Sequence, residues 1–100
     1  MHDLNPENAL AIIRNVLGKT SQAVLAFTKH ARKQMALRGY TTQDVVYILE
    51  TGQVDSIESK PNDERHCKIR GQDIEGDEGI VVVAIIDVTH LLLITVLGGT

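Results

Sequence analysis

The chain has 100 residues, 43% of them hydrophobic and 3% aromatic, and carries a formal net charge of -3. That length suits one domain with a single modest core, which must be aliphatic because Phe27, Tyr40 and Tyr47 are its only aromatic residues. So few rings argue against a single-strand nucleic-acid binder built on stacking platforms, and the acidic total implies no general affinity for polyanions.

Asn5 before Pro6 reads as an N-cap with proline at the first helical position, and the helix it opens carries Leu10, Ile13 and Leu17 at helical spacing before Gly18 stops it. The short apolar run QAVLAF, 22–27, fits a strand or a loop entering the next helix. Thr28 is placed to cap a second helix that ends before Gly39. Thr41 with Asp44 resembles a capping box for a third, which shows Val45, Ile48 and Leu49 on one face and ends at Gly52.

After Gly52 the period changes from helical to alternating. Val54 and Ile57 mark a weak extended segment, closed by the loop SKPNDE. Residues 65–70 alternate, with Cys67 and Ile69 on one side and His66, Lys68 and Arg70 on the other. The polar connection GQDIEGDEG leads to two near-continuous apolar runs, 80–86 and 91–97, joined by DVTH as an antiparallel hairpin. Helices first and strands later make an α+β domain, with N-terminal helices packed on a C-terminal, mainly antiparallel sheet. A single domain over 1–100 is expected, with an N-terminal helix in 1–21 and a core in 22–97. The last two strands are apolar on both faces, so both need cover. The second and third helices can supply one side; the first helix or a second copy of the chain must supply the other, and a homodimer is expected.

The lone Cys67 cannot form an internal disulfide and fits a reducing compartment. No stretch reaches the roughly 18 apolar residues of a membrane span, and MHDLNPEN lacks a signal-peptide layout. The expectation is a cytoplasmic protein with no membrane association.

Seven of the ten basic residues fall in two segments: Lys29, Arg32, Lys33 and Arg38, then Arg65, Lys68 and Arg70. On a helical wheel, Phe27, Ala31 and Met35 form an apolar stripe flanked by Leu37, and Lys29, Arg32 and Lys33 lie opposite as a solvated face. His30, Gln34 and Arg38 recur at i, i+4 and i+8 and fall inside the apolar arc. There they would either bond to backbone and carboxylates as structural groups or line a cleft. In a cleft, His30 in the first helical turn would be a neutral imidazole suited to general-base work, and Arg38 could hold a phosphate bidentately. His66, Lys68 and Arg70 suit an anionic substrate equally with an edge strand kept soluble by charge. Thr95, the sole polar residue in the last strand, is a β-branched filler or turns its hydroxyl to the site.

No metal is expected. A calcium loop counted from Asp73 would need Glu at its twelfth position, where Ala84 stands, so DIEGDEG reads as a solvated turn. Cys67 has no second His or CxxC at zinc spacing, and no GxxxxGK or GxGxxG occurs, so no cofactor is expected either.

The segment FTKHARKQMALRGYTTQDVVYILETG resembles the signature of a small bacterial family of unknown function: Ser or Thr, then His-Ala, then Arg-Met, then Arg-Gly, and a helix ending in Gly. The matching positions are Thr28, His30, Ala31, Met35, Arg38, Gly39, Val45, Gly52, Gly71, Thr95 and Val96, within 24–97. Gln34 stands where the family commonly has Arg, and Leu97 where its last strand often has Tyr. Such families are placed by analogy beside the RelE-like and MqsR-like toxins of toxin–antitoxin systems. The resemblance implies a RelE-like fold, a metal-independent endoribonuclease toxin acting on RNA, and an antitoxin protein that neutralises it. His30 would then be the acid/base group and Arg38 and Arg70 would hold the scissile phosphate while the ribose 2′-hydroxyl attacks it; His66, Lys68 and Thr95 would bind substrate. The rival expectation is a non-catalytic interaction or dimerisation module on the same fold.

Overall fold

A computed structural model describes residues 4–18, 23–62 and 64–98. Gln22 of the QAVLAF run, Asp63 of the SKPNDE loop and the ends of the expected N-terminal unit lie outside them. The chain order is α1 (Pro6–Gly18), β1 (Val24–Phe27), α2 (Lys29–Arg38), α3 (Thr42–Thr51), β2 (Gln53–Ser59), β3 (Arg65–Gln72), β4 (Glu78–Asp87) and β5 (His90–Gly98). The five strands form one mixed sheet in the order β1-β5-β4-β3-β2, antiparallel throughout except that β1 runs parallel to β5. This is the α+β architecture expected from helices first and strands later. No helix among the described residues is long and apolar enough to cross a membrane.

Local chemistry sets the helix ends. The Asn5 side chain accepts from the Asn8 N–H at 2.8 Å, opening α1. Thr28 caps α2 by accepting from the Ala31 N–H at 3.0 Å, and its own hydroxyl donates to the Ile94 carbonyl at 3.2 Å, so this cap also ties the helix to β5. Gly39 at φ 71° ends α2 in the left-handed region that a glycine enters without penalty. Thr41 and Asp44 form the capping box of α3 reciprocally.

One apolar cluster joins all three helices to one face of the sheet. Ala9, Ile13 and Val16 of α1, Ala31 and Met35 of α2, and Val45, Ile48 and Leu49 of α3 pack with Cys67, Ile69, Val81, Val83, Ile85, Leu91, Leu93 and Val96. Leu10 and Leu17, expected on the buried stripe of α1, are only half-buried because that stripe is rotated toward Ala9 and Val16. The Arg14 guanidinium donates to the Gly52 carbonyl at 2.9 Å, which pins α1 to the start of β2. At Gly52 a Cβ would stand 2.6 Å from both the Arg70 and Ile48 carbonyl oxygens, so only glycine allows α3 to end this close to β3.

Alternation sends the remaining strand side chains to the opposite face. Lys68, Val82 and Thr95 pair in one row; His66, Ala84 and Leu92 in the next; Arg70, Ile80 and Leu97 in a third. No described helix packs there: α1 joins α2 and α3 on the core side, not the other. Of the two covers expected for this face, the first helix is therefore excluded.

Candidate functional site

The expected site residues fall into two groups. His30 and Arg38 lie at opposite ends of α2, eight positions apart, which is about 12 Å of helix. Both are exposed, as is Leu37 at 70%, whereas Gln34 is half-buried. This corrects the placement of His30 and Arg38 inside an apolar arc. The buried stripe of α2 is only Ala31 and Met35, since the helix packs chiefly on β5, and Leu37, which widened the arc on the wheel, turns to solvent. His30 has no hydrogen-bond partner among the described residues, so it is not a satisfied structural group.

Arg38 lines a hollow of about 410 Å³ with Tyr40, Asp44, Asp73, Glu75, Asp77 and Glu78. The surroundings are acidic, a poor setting for phosphate. Asp73 is 6% exposed and accepts from the Glu75 and Asp77 N–H groups at 3.0 Å each, so the DIEGDEG turn is organised around a buried carboxylate rather than fully solvated. Asp44 reaches the same turn, accepting from the Ile74 N–H at 3.2 Å. The N–H of Thr41, with that of Ile74, holds the Asp44 carboxyl below its ordinary value. Burial, then the charge of Asp73, raises the Tyr40 phenol above its ordinary value.

On the open face of the sheet, His66, Lys68 and Arg70 do project together from β3, as alternation requires. The strand is not an edge, however: β2 pairs with its other side, so charge is not needed there to keep an edge soluble. Arg70 is already engaged, with Asp55 at 3.4 Å and Glu78 at 3.2 Å, and Asp55 foremost raises its pKa. His66 lies 3.0 Å from the Glu64 carboxylate. Lys68 lines a hollow of about 230 Å³ with His66, Ser56, Glu58, Lys60 and Val82, in which Lys60 and Glu58 pair with each other. Thr95 lies across Val82 from Lys68, two strand spacings or about 9–10 Å away, and its hydroxyl is 3.4 Å from the Val96 carbonyl.

The fold thus brings His66, Lys68, Arg70 and Thr95 onto one surface. It sets Arg38 beyond Glu78, which binds Arg70 and lines the Arg38 hollow, and leaves His30 at the far end of α2. The carboxylates that occupy Arg70 escaped the reading from sequence. For Glu78 the signal was the turn 73–78 itself, which places it at the start of the strand that pairs with β3; Asp55 comes from β2, the other neighbour of β3.

No curated protein and no solved structure matches the chain. Residues 27–97, running from the last residue of β1 to the end of the last strand's apolar run, match the family described as Domain of unknown function (DUF4258), and the chain belongs to that family.

Proposed function

We propose that this chain is a non-catalytic, RelE-like interaction module whose working surface is the open face of its sheet, where a partner protein docks. The observation that carries this reading is the one-sided packing. All three helices share a core with one face, while Ile80, Val82, Leu92 and Leu97 are left half-buried on the other, rimmed by Lys68, His66 and Arg70. An apolar centre with a polar, ion-paired rim is the anatomy of a protein interface. The cations that phosphate chemistry would need support this reading by their positions: Arg70 is neutralised by two carboxylates, Arg38 lies among acids, and His30 is remote from both.

A second reading, the metal-independent endoribonuclease toxin, draws on the hollow that groups Lys68 with His66 next to Thr95. The two part experimentally. Under the module reading, an antitoxin-like protein of the kind the family resemblance implies co-purifies with this chain on co-expression, Val82→Glu abolishes that complex, His30→Ala leaves it intact, and purified chain leaves RNA whole with or without chelator. RNA cleavage that persists in chelator and is lost in His66→Ala or Lys68→Ala would install the toxin reading in its place.

A further inference from the structure

The two edges of the sheet are unlike. β2 is guarded: it bears Asp55 and Glu58, and its register shifts between Val54 and Ser56, so a bulge at Asp55 interrupts the free ladder. β1 has none of these devices. Its four residues, Val24, Leu25, Ala26 and Phe27, are all apolar, with no charge, no proline and no bulge, and no described strand pairs with its outer side. An unguarded apolar edge is a template for another strand.

Which backbone groups are free follows from the pairing with β5. The Val24 N–H donates to the Thr89 carbonyl at 2.8 Å and the Thr28 N–H to the Leu93 carbonyl at 3.1 Å, so the even-numbered amides point inward. Leu25 and Phe27 therefore direct both N–H and C=O outward. Val24 (42% exposed) and Ala26 turn their side chains to the open face, and Leu25 and Phe27 turn theirs to the helical side.

From this geometry we propose that β1 pairs antiparallel with β1 of a second copy of the chain, joining two sheets into one continuous sheet. An isologous pair needs a self-complementary register, and this strand has one. With Ala26 facing Ala26 of the partner subunit on the two-fold axis, Leu25 meets Phe27 of the partner subunit, and each such pair exchanges both of its N–H···O bonds. The axial position is then a non-hydrogen-bonded pair, where side chains approach most closely, and alanine is the smallest L-residue that can stand there. Charge agrees with the antiparallel sense. Each strand leads at its C-terminal end into Lys29, Arg32 and Lys33, and at its N-terminal end lies beside the β4–β5 turn with Asp87, paired to His90 at 2.8 Å. Antiparallel pairing sets the basic end of one copy against the acidic turn of the other, while the two basic ends stand roughly 20 Å apart, beyond the Debye length. Because the axis is perpendicular to the sheet, both helical layers stay on one side and both open faces on the other. The pairing does not depend on what docks on those faces.

Sedimentation velocity of the full chain should show a concentration-dependent species of twice the 11.0 kDa monomer mass, with a roughly micromolar midpoint for so short an interface. Ala26→Lys, at an exposed position, should shift it to monomer by more than tenfold in dissociation constant, with an unchanged melting temperature at dilutions where the wild-type chain is also monomeric; Glu58→Lys, which places a lysine on the other edge strand, should leave the dimer intact. In the wild-type chain, amide-exchange protection at Leu25 and Phe27 should rise with concentration while that at Val24 and Ala26 stays constant. A monomer at about 200 µM, a dimer indifferent to Ala26→Lys, or concentration-dependent protection confined to other strands would each overturn the proposal.

Discussion

The two faces of this sheet are built from the same strands and follow different rules. On the helical face the positions that meet the helices are apolar and most are fully buried, so side chains interlock and volume decides stability. On the open face, apolar residues from β4 and β5 sit beside cations from β3, most of them half-exposed and several already ion-paired. The lesson is that near-continuous apolar strands need not be covered twice within their own chain. Val82 and Ile80 are as hydrophobic as Val81 and Val83, and only the second pair meets a helix.

The sharpest test of that contrast is truncation on either side. Ile69→Ala removes a fully buried side chain from beneath α3 and should cost about 2–5 kcal/mol in urea unfolding. Ile86→Ala, on a residue 48% exposed, should stay within about 0.5 kcal/mol. Equal losses would mean that the open face is covered in solution as closely as the helical one.

Gly52→Ala should come next, at about 1–3 kcal/mol, because its Cβ would meet backbone oxygens of Arg70 and Ile48 that cannot turn away. Gly79 offers a graded companion. A Cβ there would stand 2.0 Å from the Tyr40 hydroxyl, the far end of a side chain that can be removed. Gly79→Ala should therefore destabilise, and Tyr40→Phe should recover much of the loss in the double variant, whereas no side-chain change should rescue Gly52→Ala. Thermal melts of the four proteins decide it.

The elements of this fold were legible in sequence wherever the cause is local. Thr28, the Thr41–Asp44 box and Gly52 act within one helical turn, and the alternation of Cys67 and Ile69 with His66, Lys68 and Arg70 is carried by the strand itself. What was not legible depends on distant partners. β1 finds its place only by pairing with β5, some sixty residues later. Arg70 looked available until Asp55 and Glu78 arrived from neighbouring strands, and His30 looked inward because a wheel drawn from ten residues cannot tell that Leu37 faces water. The shared lesson for the candidate site is that residue type and spacing located the cations, while tertiary pairing decided which of them remain free.

The last expected effect unfolds only at alkaline pH and concerns Cys67, which marks the boundary between the faces. It sits in the middle of β3, fully buried on the helical side, flanked in sequence by His66 and Lys68 on the open one. Burial pushes its thiol up to about 11. An acid whose folded pKa is raised contributes stability below its unfolded value, near 8.5, and that contribution is lost as pH rises toward the folded one. Unfolding free energy should therefore decline from about pH 8.5 upward in the wild-type chain, and Cys67→Ala should flatten that slope while lowering stability at pH 7 for lack of the sulfur atom. Ellman's reagent should leave the native thiol untouched and titrate one equivalent in urea. Prompt reaction of the native chain would show that the sheet opens at β3 and that its two faces are less separate than their packing implies.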